Sequence, residues 1–364
     1  MSTAENSLVW DLLGPEMSRA RQVPAWTAGY GDVRGNPDLR AAVAEFASST
    51  FLGRPVAADD VCTMAGAGAI LEAVFWSLCD PGDGVLVATP GYAGFWMDLE
   101  NRDEAVIVPV PTDPADGFRI TTEALERAWN GAERPIKALL LCSPDNPTGR
   151  VLSENELRAV VEWPRNKRIH LVSDEIYALS VHGDATFVSV SGVADLEEDI
   201  HIIWAISKDL AANGLRCGFL FSHNERLKSA VSGQAIWAAV SGRTQHFVSE
   251  LLADRGWTDK YLVEMPRRLA EAHHVLSSGF SDAGIRHFPA QAGFFLIADL
   301  RLHLDEPTFD SERDLWRRMV DQGVNLTPGK ALRSPDPGLF RVCFSATPTE
   351  SLPLAVDRIR TALA

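Results

Sequence analysis

Six short apolar runs, separated by segments with helical patterns, constrain the fold of this chain more than any other feature. The runs cover residues 83–90, 104–110, 137–143, 170–176, 201–206 and 216–222. Nearly continuous apolar character is typical of strands that are buried on both faces of a sheet. Between two of these runs, Ser153 stands three residues before Glu156 and ahead of an apolar periodic segment, which predicts a helix start with a capping box. Alternating strands and helices predict an α/β fold whose central sheet is mostly parallel and flanked by helices.

The last third of the chain has a different pattern. A long helix is predicted over residues 264–284, followed by two further strands in FFLIADL and LFRVCFS. A chain of 364 residues is long enough for two domains of about 150 residues each. We therefore expect a large domain, built on the mostly parallel sheet, over residues 31–260 and a small α+β domain over residues 261–364. The N-terminal segment, residues 1–30, is expected to belong to the small domain.

The charge and cysteine content limit the kinds of partner. A net charge of −15 argues against nucleic acid or an anionic membrane as the main partner. The N-terminus lacks the basic and apolar regions of a signal peptide, and no apolar run approaches the about 20 residues that span a bilayer. The five cysteines are scattered without metal-ligand spacing, which indicates reduced thiols. These features predict a cytoplasmic protein that acts on small molecules and has no metal site.

Polar side chains follow three of the predicted strands. Asn146 comes after the third run, the fourth contains Asp174 and is followed by Tyr177, and Ser207 and Lys208 follow the fifth. In open α/β sheets, ligands bind beyond the carboxyl ends of the strands. An amide, a carboxylate, a phenol, a hydroxyl and an amine are therefore expected to converge at one edge of the sheet.

These groups together suit pyridoxal phosphate. The cofactor needs a lysine amine for a Schiff base, and burial at a strand end would lower the pKa of Lys208 for that role. A buried carboxylate must keep the pyridine nitrogen protonated, and Asp174 is suitable. Asn146 and Tyr177 can donate hydrogen bonds to the phenolic oxygen of the ring.

The phosphate and the ring face require further groups. Arg216 can bind the phosphate, together with Ser207 and the backbone amides of Ala67 and Gly68 in the stretch AGAGAI, which opens a predicted helix. Tyr92, just beyond another strand, can cover the ring face. Taken singly, each of these residues has an ordinary interpretation as a helix cap, a turn or a tight helix–sheet contact. Their joint order along the chain supports the prediction of a cofactor site.

The same motifs resemble those of fold-type I pyridoxal phosphate enzymes of the aminotransferase superfamily, and most closely the 1-aminocyclopropane-1-carboxylate synthases. The matching stretches are SPDNPTG, HLVSDEIY, SKDLAANGLRCG, TQHF and LFRVCFS. The resemblance implies that Lys208 is the internal aldimine lysine and acts in catalysis with Asp174 and Tyr177, and that Arg341 binds the α-carboxylate of the substrate. The stretch AENSL resembles the family's AENQL, whose glutamate lies near the sulfonium of S-adenosylmethionine. Glu5 is thus the candidate residue for a cationic substrate, although a glutamate there could also be solvated or start a helix.

The chain departs from the family pattern around the cofactor and the substrate. Ala205 and Gly68 stand where family members have hydroxyl residues, so that two phosphate-binding hydrogen bonds are missing. The family's FDRDL is FWMDL here, which brings Trp96 and Met97 into a pocket that we expect to be larger or more apolar. These changes could leave the substrate unaltered while changing the fate of the intermediate.

The family also builds each site from two subunits. The tyrosine that a neighbouring subunit contributes in a YHG motif is replaced by Val33-Arg34-Gly35, and Tyr30 is the nearest substitute. A homodimer with shared active sites is expected from the resemblance, with Tyr30 and Trp237 bordering the site of the neighbouring subunit. Simple helix packing is the alternative for Trp237.

The expected reaction is loss of the α-proton of S-adenosylmethionine and departure of methylthioadenosine from Cγ. Direct ring closure would give 1-aminocyclopropane-1-carboxylate. Loss of a β-proton would instead give a vinylglycine-type quinonoid, which a second substrate could capture by γ-replacement or annulation, as with a nicotinamide nucleotide in natural-product biosynthesis. The alternative is a class I/II aminotransferase, which needs Lys208, Asp174 and Arg341 but not Glu5. A non-catalytic regulator built on this fold is disfavoured, because the chain has no basic region for DNA binding.

Overall fold

A seven-stranded sheet forms the centre of the computed structural model, which describes residues 1–364. Its strands, in chain order, are β1 Val61–Met64, β2 Gly84–Thr89, β3 Val106–Pro111, β4 Ile136–Cys142, β5 His170–Asp174, β6 Ile200–Ala205 and β7 Gly218–Ser222. The spatial order is β1-β7-β6-β5-β4-β2-β3, and only β7 runs antiparallel to its neighbours. The predicted α/β fold with a mostly parallel sheet is confirmed.

Each of the six apolar runs overlaps one of these strands, and the ends of run and strand differ by at most two residues. Strands β6 and β7 are buried along their whole length, as expected for central strands that are covered on both faces. Strand β1 was not predicted, because its four residues are too few to show a strand pattern in the sequence. It lies at the edge of the sheet and pairs with β7.

Thirteen helices surround the sheets. They are α1 Trp10–Ser18, α2 Pro37–Thr50, α3 Ala67–Leu78, α4 Gly94–Glu100, α5 Thr122–Gly131, α6 Glu154–Lys167, α7 Val190–Val193, α8 Ile206–Asp209, α9 Glu225–Gln234, α10 Gly242–Ala253, α11 Arg255–Asp282, α12 Phe309–Asp321 and α13 Leu352–Leu363. The capping box that opens α6 is present, since the backbone N–H of Ser153 donates to Oε2 of Glu156 at 2.9 Å. None of the helices combines the length and the apolar character that crossing a membrane requires.

A second, three-stranded antiparallel sheet lies in the C-terminal part of the chain. It contains β8 Arg286–His287, β9 Phe295–Asp299 and β10 Leu339–Cys343, with β9 in the middle. The N-terminal segment lies against β10, because the backbone N–H of Cys343 donates to the carbonyl oxygen of Met1 at 2.9 Å. Helix α11 spans residue 260, and the domain boundaries at residues 30 and 260 stay predictions.

Candidate active site

The carboxyl ends of the parallel strands β4, β5 and β6 meet at one edge of the large sheet. Cys142, the last residue of β4, lies beside Asp174, the last residue of β5, and Asp174 lies beside Ile203 of β6. Asn146 follows β4, and Lys208 follows β6 in the short helix α8. The topology therefore brings an amide, a carboxylate and an amine to the same edge.

Lys208 lies in a half-buried position at the end of β6. Its Nζ atom donates a hydrogen bond to the backbone carbonyl oxygen of Ala4 at 2.5 Å. Burial lowers the pKa of the Lys208 amine, an effect that the nearby Cys343 and the carboxylates of Glu5 and Asp174 partly oppose. A lowered pKa favours the neutral amine, which is the nucleophilic and proton-accepting form.

Asp174 is buried and has no cationic partner within salt-bridge distance. Its Oδ1 accepts a hydrogen bond from the backbone N–H of Ile176 at 3.3 Å. Burial raises the pKa of this carboxyl group to about 7, because the charged form is poorly solvated. A protonated pyridine nitrogen would supply the missing opposite charge, so Asp174 fits pyridoxal phosphate.

Tyr177 has a buried hydroxyl group without a hydrogen-bond partner. Its ring packs edge-on against Phe294 and Phe295, with ring centroids 5.4 Å apart in each pair. Burial raises the pKa of Tyr177, and the positive charge of the nearby Arg341 partly opposes that rise. Buried hydroxyl groups are rarely left unpaired in proteins, so this orphaned group fits a ligand oxygen such as the phenolic oxygen of the cofactor.

A cradle for an anion lies at the start of α3. Gly66 has a φ of +95°, and a Cβ atom there would lie 2.5 Å from Nη2 of Arg216. Nη2 of Arg216 donates to the carbonyl oxygen of Ala65 at 3.3 Å. No side chain caps the helix, which leaves the first amides of α3, at Ala67 and Gly68, available to an anion such as the cofactor phosphate.

Tyr92 and Ser207 are the remaining residues that the sequence predicts for the cofactor site. The ring of Tyr92 is partly exposed and contacts Phe95 edge-on at a centroid distance of 5.2 Å. Burial raises the pKa of Tyr92, the charges of Asp98 and Asp174 raise it further, and those of Arg341 and Arg216 oppose the rise. Tyr92 therefore lies near both Asp174, the candidate partner of the pyridine nitrogen, and Arg216, the candidate partner of the phosphate. Ser207 is buried in α8 beside Lys208.

Arg341 connects the two sheets. It lies in the middle of β10, and its Nη1 donates to Oδ1 of Asn146 at 2.8 Å. Its Nη2 donates to the carbonyl oxygen of Ser2 at 2.6 Å and to Oγ1 of Thr327 at 3.3 Å, while its buried Nε has no partner. A buried guanidinium with an unused donor, next to the amine of Lys208, is suited to bind a carboxylate.

The N-terminal segment completes the site. Oε1 of Glu5 accepts a hydrogen bond from Nδ2 of Asn213 at 2.9 Å, and its backbone carbonyl accepts one from Oγ of Ser345 at 2.5 Å. The backbone oxygens of Ser2 and Ala4, which bind Arg341 and Lys208, carry no signal in the sequence because any residue has a carbonyl group. Tyr30 is fully exposed and is not brought to this site within the chain.

A lysine amine, a buried carboxylate and an anion cradle at the carboxyl edge of a mostly parallel sheet define a pyridoxal phosphate-dependent enzyme of fold type I. The chain belongs to the aminotransferase class I and II family, whose model matches residues 23–359. The predicted family, cofactor and enzyme class are confirmed.

Two relatives and two solved structures describe the similarity. The chain is 37% identical to 1-aminocyclopropane-1-carboxylate synthase 6 of Arabidopsis thaliana, over 99% of this chain and 77% of that protein. It is 35% identical to a 1-aminocyclopropane-1-carboxylate synthase of Glycine max, over 99% of this chain and 79% of that protein. The fold is similar to that of an aspartate aminotransferase from Thermus thermophilus, with a TM-score of 0.85, 24% identity, and coverage of 99% of this chain and 90% of that one. An aromatic aminotransferase from Pyrococcus horikoshii has a TM-score of 0.87, 20% identity, and coverage of 100% and 94%.

Proposed function

We propose that this enzyme acts on S-adenosylmethionine, removes its α-proton and releases methylthioadenosine from Cγ. The observation that carries the proposal is the position of Glu5, whose exposed carboxylate lies on the segment that contacts both Lys208 and Arg341. A carboxylate at the rim of the site is complementary to a sulfonium cation. The similarity to synthases over nearly the whole chain supports the same substrate.

Different residues of the chain have different roles in the proposed reaction. Arg341 binds the α-carboxylate, which orients the Cα–H bond toward Lys208. The Lys208 amine, whose pKa is lowered by burial, accepts the α-proton. Asp174 and Tyr92 would help to hold pyridoxal phosphate, which would supply the electron sink that makes loss of this proton possible. Glu5 stabilises the positively charged sulfur until the Cγ–S bond breaks and its electron pair leaves on sulfur.

Two products are compatible with this arrangement. Attack of the α-carbon on Cγ gives 1-aminocyclopropane-1-carboxylate. Attack of a second substrate, for example a nicotinamide nucleotide, on Cγ gives a γ-replacement or annulation product. The exposed Met97 and the partly buried Trp96, a few residues after Tyr92, support the second route because they make the space beside the site more apolar.

An aminotransferase reaction on an amino acid is the alternative. Lys208, Asp174 and Arg341 would serve it equally well, and the similarity of the fold to aspartate aminotransferase is compatible with it. Only Glu5 separates the two proposals, since an ordinary amino-acid substrate carries no sulfonium.

Mass spectrometry of the purified holoenzyme with S-adenosylmethionine tests the proposal, with and without a small-molecule fraction of cell extract. Methylthioadenosine together with 1-aminocyclopropane-1-carboxylate would indicate the synthase reaction. Methylthioadenosine together with a new adduct, formed only in the presence of the extract, would indicate capture by a second substrate. Absence of methylthioadenosine under both conditions would contradict the proposal and favour the aminotransferase.

We also propose that the enzyme is a homodimer. Tyr30, Ile236 and Trp237 are strongly exposed, with 111%, 64% and 85% of their reference surface accessible. Exposed aromatic and apolar side chains of this size are typical of protein interfaces. Light scattering should give twice the chain mass, and a Trp237→Asp variant should shift the equilibrium toward the monomer.

A further inference from the structure

A cavity of about 660 Å³ lies beside the proposed substrate site. Its lining includes Trp96 and Met97 of α4 and Trp316 of α12. Both indole rings are partly buried, and Nε1 of Trp316 donates to Oδ1 of Asn325 at 3.1 Å. The volume is in the range of sites that hold organic ligands, and two indole rings favour a planar aromatic molecule.

The cavity is positively charged. Lys330 and Arg333, in and just after the 3₁₀ turn Gly329–Leu332, line it and have no carboxylate within salt-bridge distance, whereas Arg313 pairs with Asp310. The one lining carboxylate, Glu312, accepts hydrogen bonds from the backbone N–H groups of Lys330 at 2.9 Å and of Gly338 at 2.6 Å. Two cations without partners favour an anionic ligand such as a phosphate or a carboxylate.

The position of Arg333 is held by its backbone and by an aromatic ring. Its φ of +55° lies in the left-handed region, which glycine usually occupies at such a turn end. Its guanidinium carbon lies 5.3 Å from the ring centroid of Trp96. A long, charged side chain in this backbone conformation, stacked on an indole, places a cation directly at the aromatic wall.

The cavity adjoins the candidate active site through shared residues. Ser2 and Thr327 line it, and both also contact Nη2 of Arg341. The backbone N–H of Gly91, next to Tyr92, donates to the carbonyl oxygen of Leu332 in the turn that carries Lys330. A molecule in the cavity would therefore lie next to the group that binds the substrate carboxylate.

We infer that this cavity binds a second substrate, a planar aromatic compound that carries a phosphate or carboxylate group. S-adenosylmethionine itself fits it poorly, because its sulfonium would face the unpaired charges of Lys330 and Arg333. The role as acceptor rests on the proposed function. In the net reaction a nucleophilic atom of the acceptor forms a bond to Cγ, the Cγ–S bond breaks with its electron pair leaving on sulfur, and the acceptor loses a proton.

Calorimetric titration of the holoenzyme with 1-naphthyl phosphate, without S-adenosylmethionine, tests the site independently of the reaction. 1-Naphthol lacks the anion that Lys330 and Arg333 would attract, and inorganic phosphate lacks the aromatic ring. Each should therefore bind at least about tenfold more weakly than the probe. Saturating S-adenosylmethionine should not displace the probe. Absence of binding, equal binding of inorganic phosphate, or displacement by S-adenosylmethionine would each overturn the inference.

Variants assign the probe to the cavity. Arg333→Gly removes the cation and relieves the left-handed backbone, so this variant should keep its stability and lose at least about tenfold in probe affinity. Lys330→Gln and Trp96→Leu should also weaken binding, and Arg317→Gln, on α12 but outside the cavity, should not. Unchanged affinity in Arg333→Gly would contradict the assignment.

A separate measurement tests whether the molecule bound in the cavity is the acceptor in the reaction. The adduct that forms with cell extract should decrease at least about tenfold in the Arg333→Gly variant. No adduct with the wild-type enzyme, or an equal yield with the variant, would overturn the role as acceptor. Release of methylthioadenosine decides the proposed function separately.

Discussion

The Nζ atom of Lys208 lies 2.5 Å from the backbone carbonyl oxygen of Ala4, a residue 204 positions earlier in the chain. The same N-terminal segment binds Arg341 through the carbonyl oxygen of Ser2 at 2.6 Å. The amine and the guanidinium that the proposed reaction needs therefore contact the same short N-terminal segment. Substitutions of Lys208 test cofactor attachment, and substitutions of Arg341 test substrate binding.

Replacing Lys208 by alanine should abolish covalent attachment of the cofactor. The variant should lose the visible absorption of the attached cofactor, and its activity should fall at least about 10²–10⁴-fold because the proton acceptor is also gone. Lys137→Ala, which removes a half-exposed lysine at the start of β4, is the matched control and should keep both. An unchanged absorption band in Lys208→Ala would refute the role of this residue.

Replacing Gly66 by alanine should weaken cofactor binding. The new Cβ atom would lie 2.5 Å from Nη2 of Arg216, and the φ of +95° would cost about 1–3 kcal/mol in any other residue. We expect at least a roughly tenfold weaker affinity of the apoenzyme for pyridoxal phosphate, measured by titration of its absorbance. Gly214→Ala is the control, because no atom lies within 4 Å of its Cβ position. Equal affinities for the two variants would show that the cradle does not bind the phosphate.

Replacing Arg341 by lysine should affect substrate binding more than cofactor binding. A lysine keeps the charge but cannot form a bidentate pair with a carboxylate, and a charged hydrogen bond contributes about 1.5–3 kcal/mol. KM should rise about 10–100-fold while the cofactor absorption stays unchanged. Arg286→Lys, in the same small sheet and paired with Asp299, should leave KM as it is. A normal KM in Arg341→Lys would assign the carboxylate to another group.

Replacing Glu5 by glutamine removes a charge and keeps the acceptor for Asn213. The kcat/KM for S-adenosylmethionine should fall about fivefold, since an exposed ion pair contributes up to about 1 kcal/mol. Glu350→Gln, a substitution at the start of the C-terminal helix region, is the control. If kcat/KM is the same in Glu5→Gln and the wild type, Glu5 does not recognise the sulfonium.

The partly buried His182 should make the fold sensitive to acid. Burial, together with the neighbouring His273, lowers its pKa to about 3 from an ordinary value of 6.5. The unfolded chain binds the His182 proton at a higher pH than the folded chain does. The free energy of unfolding therefore has its full value above about pH 6.5 and decreases as the pH falls from 6.5 toward 3. Between pH 7 and pH 5 the loss is about 2 kcal/mol for this residue.

Urea unfolding at pH 7 and pH 5 measures that loss. His182→Gln should show a smaller decrease in the free energy of unfolding than the wild type. His274→Gln, which changes an exposed histidine of α11, should show the same decrease as the wild type. An identical pH dependence for all three proteins would contradict the assignment to His182.

Local pattern was sufficient for the large sheet and for the residues at its edge. Apolar runs predicted six of the seven strands because strands buried on both faces must be apolar throughout. Since the carboxyl ends of parallel strands share one edge, the strand ends alone placed Asn146, Asp174 and Lys208 together. The capping box of α6 was also predicted from local pattern, because its hydrogen bonds join residues only three positions apart.

Contacts between distant parts of the chain were decided only by the tertiary structure. The hydrogen bond from Arg341 to Asn146 joins residues 195 positions apart. Ser2 accepts a hydrogen bond from Arg341 and Ala4 accepts one from Lys208, both through backbone carbonyls that every residue has. The cavity between Trp96 and Arg333 likewise depends on how the turn after α12 packs against α4. The sequence by itself determined the fold class, the family and the cofactor, because these depend on residues at strand ends and on local motifs. The closing of the N-terminal segment over Lys208 and the formation of the charged cavity depend on long-range packing, which no local pattern encodes.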